Sequence, residues 1–181
     1  PVRRDYTPEQ VADMVALLPM SAFARKMDHA DRNDQPRMLY LAWFGREIDD
    51  GTLREWILPT WEMAEFPARL GQRVWIEMFA ATGFVTDGGD DPPSPLTVYR
   101  GAALSRMRGF SWTWEIERAR WFAHRTACFG FAAGVFTVTL EPEMLLAVAS
   151  GVEGRGEREV LVNPNRLRGR FTPQLIEKTT T

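Results

Sequence analysis

Cysteine is almost missing from this 181-residue chain: Cys128 stands alone. With no second thiol, no internal disulfide forms, and a reducing compartment suits the protein. Between Ala127 and Phe129, Cys128 reads as a small buried hydrophobe rather than a nucleophile. Long apolar runs are missing too. No stretch of about 18 apolar residues occurs, so no helix able to span a bilayer is expected. The opening PVRRDYTPEQ lacks the apolar core of a secretion signal, and the expectation is a soluble, cytoplasmic protein with no membrane partner. Charge of one sign is equally scarce: 22 Lys and Arg against 24 Asp and Glu leave a net charge of −2. That balance gives no electrostatic case for nonspecific nucleic-acid binding. Neither a glycine-rich dinucleotide fingerprint nor a phosphate loop is present. Asp28, His29, Asp31 and Asp34 fit no ligand template and read as a solvated loop, so no metal is expected.

What is present is hydrophobic material. The chain is 45% hydrophobic, with seven Trp and eleven Phe, ample for the core of one ordinary domain. Its two halves differ in pattern. Residues 1–85 read as helices. Thr7-Pro8-Glu9-Gln10 has the form of an N-cap with proline at the first helical position, followed by Val11, Met14, Val15, Leu18 and Phe23. A second helix is expected over 37–48 with Met38, Leu41 and Ala42 inward. A third begins at Leu53, Trp56 and Ile57. Pro59 and Pro67 interrupt the chain before a fourth, near 68–82, that Gly83 ends. TDGGDDPPSP, residues 86–95, is a joint of glycine, proline and acid. Residues 96–181 then read as short strands: LTVYR, VFTVTL with Phe136, Val138 and Leu140 buried, MLLAVAS, EVLVNP and an edge strand in RLRGRF. One helix opens after Thr113 and runs to about His124. The class is α+β.

Three short signals sit on those strands. Val98-Tyr99-Arg100-Gly101 ends an apolar strand on a guanidinium, where glycine lets a phosphate come close. Phe110-Ser111-Trp112-Thr113 runs straight into a helix. Glu157-Arg158-Glu159 opens a strand, and alternation would put both acids on one face, roughly 7 Å apart at about 3.3 Å of rise per residue. Like charges that close repel, so they need water or a cationic partner.

Together, over residues 94–166, these signals resemble the Arg–Ser–Glu signature of mono-ADP-ribosyltransferases of the cholera-toxin-like group. The resemblance implies a helical N-terminal region (1–85), a linker (86–95) and a split two-sheet β core of the ADP-ribosyltransferase type (96–181). It implies NAD as co-substrate and an oxocarbenium-like transition state when nicotinamide leaves the ribose. Arg100 matches the arginine that holds the dinucleotide, Ser111 the serine that positions the acid, and Thr113 the third position of the Ser-x-Thr motif. Glu159 matches the acid that stabilises the developing positive charge, and Glu157 the acid that faces the acceptor. Phe129 and Phe131, in ACFGFAAG, are the candidates for stacking on nicotinamide. Ser-Trp-Thr departs from the commoner Ser-Thr-Ser, and GVEGRG before the acids lacks the aromatic that helps recognise a protein acceptor. The acceptor is therefore open: protein, small molecule or nucleic acid. Water as acceptor would make the chain a toxin-like NAD glycohydrolase, and a non-catalytic binding or assembly module retaining the fold is the reading from another class.

Overall fold

The computed structural model describes residues 18–88, 95–149 and 158–179, with side chains from residue 22 onward. Five α-helices and one seven-stranded mixed sheet make up the described chain. The helices are α1 (Leu18–His29), α2 (Gln35–Phe44), α3 (Asp50–Met63), α4 (Gln72–Thr82) and α5 (Ile116–Cys128). The strands are β1 (Val85–Thr86), β2 (Leu96–Ala103), β3 (Ser111–Thr113), β4 (Ala133–Leu140), β5 (Leu145–Ala149), β6 (Glu159–Val162) and β7 (Gln174–Thr179), in the spatial order β1-β5-β6-β3-β2-β4-β7. Only β1 and β5 run parallel. The α+β class thus holds, but the described strands form one sheet where a split two-sheet core was expected; the start of the first expected helix and the 89–94 part of the joint lie outside the described residues.

Local chemistry explains the helix limits. Asp49 caps α3 by accepting from the Thr52 amide at 2.7 Å, and Gly83, at φ 69°, ends α4. The expected break at Pro59 does not occur, and α3 continues through it. Pro59 is exposed, so water can reach the carbonyl it leaves without a donor, while Leu53, Ile57, Leu58 and Trp61 anchor the other face in the core. In α2 the inward residues are Pro36, Leu39 and Ala42, whereas Leu41 is 49% exposed, so the expected stripe was partly misplaced around the helix. RLRGRF forms two short 3₁₀ turns with Gly169 at φ 59°, and the edge strand is β7 instead.

Register sorts the side chains between the two faces of the sheet. Residues directly opposite one another share a face. Tyr99↔Thr113, Thr113↔Glu159, Ser111↔Leu161 and Leu161↔Ala147 therefore point the same way, with Gly101↔Val135 beside them. The α-helices that share a core with the sheet do so on this face. Trp61, Trp75, Met78 and Phe79 from α3 and α4 share a core with Ala147, Ala149 and Leu161. Helix α5 sets Ala119 and Ala123 against Tyr99 and Val135. Its approach to β2 requires glycine: a Cβ at 101 would stand 1.9 Å from the Ala119 carbonyl oxygen and 2.4 Å from the Ala123 amide nitrogen. The opposite face holds Val98, Ala102, Trp112, Phe136, Val138, Leu140, Val160 and Val162. The helical region thus shares a core with the strands rather than closing one of its own.

Cys128 is exposed, contrary to the sequence reading. The buried stripe of α5 is Ala119, Ala123 and Ala127, and Cys128 falls one residue past it, toward solvent. No described helix is long and apolar enough to cross a membrane.

Candidate functional site

Between the α3–α4 layer and α5, over the middle of the sheet, lies a cavity of about 300 Å³. That is the lower end of the range for small-molecule sites, about 300–1,000 Å³. Its floor is strand: Tyr99, Arg100 and Gly101 from β2, Ser111, Trp112 and Thr113 from β3, and Glu159 from β6. Trp61, Glu62, Ala64 and Pro67 form one wall, Ala119 and Phe122 the other.

The sheet is thin where the cavity lies. Strands β2 and β3 share a single register pair, Tyr99↔Thr113, and the ladder opens beyond it. Alternation roots Arg100 on the Trp112 face, away from Glu159. Its guanidinium turns toward β3, where Nη1 donates to the Ser111 carbonyl at 2.5 Å; the residue is among those lining the cavity and feels the Glu159 charge. Gly109 makes room for it, since a Cβ there would lie 2.5 Å from Nη2. Nε is sealed from water with no hydrogen-bond partner. Burial in these apolar surroundings pushes the Arg100 pKa down to about 10, against the opposing pull of the Glu159 charge. The group stays cationic at neutral pH. A cation on a cavity wall suits an anionic ligand.

Glu159 begins β6 and is half-buried. The Trp61 indole donates from Nε1 to its Oε2 at 3.0 Å. The residue before it, Arg158, has φ 40°, an uncommon conformation for a side-chain-bearing residue, and its Nη1 donates to Glu115 at 2.6 Å. The expected strand through Glu157, Arg158 and Glu159 does not include Arg158: β6 starts at Glu159. Glu157 lies outside the described residues.

Ser111 lines the cavity, but it is its main-chain carbonyl that accepts from Arg100, and its hydroxyl makes no bond to Glu159. Thr113 is buried; its hydroxyl accepts from the Glu115 amide at 3.1 Å and holds the turn into α5. Arg100, Ser111, Thr113 and Glu159 thus come together from three strands. Phe129 and Phe131 do not join them. They flank Gly130, at φ 83°, past the end of α5, and are 70% and 59% exposed.

The aromatic side chains on the cavity's face of the sheet are Trp61, Tyr99 and Phe122 instead. By burial Trp61 is core, at 4% exposure. The available signal was chemical: a buried indole must find an acceptor for its N–H. Among the described residues no cluster of three or more His, Cys, Asp or Glu is arranged to hold a metal. Chemically, the site offers a fixed cation, a held carboxylate and flat apolar surfaces between them. Comparison with models of known families, with curated proteins and with solved structures finds no match for this chain.

Proposed function

We propose that the chain binds NAD⁺ in this cavity and transfers its ADP-ribose to an acceptor. The observation that carries the reading is the meeting of Arg100 and Glu159, from separate strands, on one cavity wall. Arg100 offers its guanidinium to the pyrophosphate. Tyr99, Phe122 and Trp61 offer surfaces for a planar ring. In the reaction the bond between ribose and nicotinamide breaks, its electron pair leaving with neutral nicotinamide. Positive charge grows on the ribose, and Glu159 stabilises it more than it stabilises bound NAD⁺. The acceptor then forms the new bond and gives up its proton, the step that the sequence resemblance assigns to Glu157.

The test is nicotinamide release from NAD⁺ by purified protein, with and without cell lysate as a source of acceptors. Glu159→Gln is expected to slow release by on the order of 10²–10⁴ while the fold persists. Release that needs no acceptor identifies water as the nucleophile. No release under either condition refutes the enzymatic reading and leaves a binding module.

A further inference from the structure

We infer that Trp61 is a positioning residue for Glu159, and that the helical layer is therefore part of the reaction machinery; the inference rests on the ADP-ribosyl-transfer reading. A glutamate reaches its substrate through three rotatable bonds, and a catalytic carboxylate must be held within a fraction of an ångström. Here the hydroxyl that the sequence motif offers for the task, that of Ser111, makes no bond to Glu159, whereas the indole of Trp61 donates to Oε2 at 3.0 Å.

Trp61 suits that work because it has little freedom of its own. Its ring meets Trp75 edge-on at 4.9 Å and Phe110 at 5.3 Å. Trp75 is in turn tied by its own indole to the Pro67 carbonyl at 2.8 Å. A rigid series of rings thus runs from α4 through α3 to the carboxylate on β6. The same tryptophan walls the cavity, so one side chain both bounds the ligand space and orients the acid beside it. A merely satisfied core indole would affect stability alone. A positioning indole affects the chemical step.

Trp61→Phe keeps a ring in the wall and removes the donor, together with part of the indole's volume. Nicotinamide release is expected to fall about ten- to a hundredfold in kcat, the loss of a hydrogen bond to a charged group, with KM for NAD⁺ little changed. Unchanged kcat in a folded Trp61→Phe protein overturns the inference. So does a loss confined to KM. A second measurement needs neither turnover nor that variant to fold. In the full chain the indole N–H resonance of Trp61 is compared before and after Glu159→Gln by NMR. It is expected to move upfield as a charged acceptor is replaced by a neutral one. The indole resonances of Trp75 on Pro67 and Trp43 on Asp50 stay in place as references. A Trp61 resonance that does not move overturns the inference whatever the activity. A resonance that moves in a protein releasing no nicotinamide keeps the contact and refutes the transfer reading, and with it the catalytic part of the inference.

Discussion

Arg100→Met separates what a buried cation does for folding from what it does for a ligand. In the folded protein, desolvation lowers the Arg100 pKa to about 10, a drop of roughly two and a half pH units. At about 1.4 kcal/mol per unit, that is a penalty of a few kcal/mol on the charged form. The sign follows from linkage: the unfolded chain holds this proton more tightly, so the penalty is present throughout neutral pH and fades only as pH rises beyond about 10. Methionine removes the penalty and fills similar space, but leaves the Ser111 carbonyl without its donor, a loss of about 1–3 kcal/mol. The two effects nearly cancel, so urea unfolding at pH 7 is expected to place Arg100→Met within about 2 kcal/mol of the native protein. Ligand response is expected to differ sharply. NAD⁺ at a hundredfold excess over its Kd adds about 2.7 kcal/mol to a protein that binds it. For a chain of this size that raises Tm by about 5–10 °C, and Arg100→Met is expected to show no such rise. A variant destabilised by more than about 4 kcal/mol would make the arginine a structural element, because the loss would exceed what one carbonyl explains. A full thermal response to NAD⁺ in the variant would remove Arg100 from the ligand site.

Gly109→Ala tests the same group by displacement. The new Cβ would meet the end of the Arg100 side chain rather than backbone, so the fold is expected to survive while the guanidinium shifts. KM for NAD⁺ is expected to rise about tenfold, the loss of one hydrogen bond to a charged group; an unchanged KM would show that this position of the guanidinium is not the binding one. At the sheet edge, Arg120 of α5 grips both carboxylate oxygens of Glu177 on β7 and holds the Glu177 pKa below the usual carboxylate value. This contribution is present above the ordinary carboxylate pKa and is lost as pH falls through the lowered folded value. Glu177→Gln is expected to flatten the acid limb of stability against pH measured by urea unfolding, and 1 M salt to shrink the difference. Identical limbs in the two proteins would count against it.

The α+β class and most elements were legible because periodicity depends on neighbours in the chain. Alternation marked β2 and β4, and caps at Asp49 and Gly83 mark helix limits in residue types that favour those conformations. Errors arose where a distant packing partner chose between local options. Pro59 is tolerated inside α3 because it faces solvent, and Cys128 and Leu41 are exposed because the inward stripe is decided by what the helix lies upon. Phe129 and Phe131 are turned outward past Gly130 for the same kind of reason, since hydrophobicity alone does not say which ring finds a pocket.

The sequence by itself determined which chemical groups are available, in what order, and on which kind of element: a guanidinium on β2, a hydroxyl pair on β3, a carboxylate at the head of β6. Only the tertiary structure decided that they meet. Strand order lays β6 beside β3 and β3 beside β2, and Arg100 on β2 bonds across to the Ser111 carbonyl of β3. It also decided that Trp61, 98 residues from Glu159 in the chain, is the donor to its carboxylate. The physical reason is reach: helix and strand periodicities act over a few residues, whereas register and helix-on-sheet packing join groups far apart in sequence.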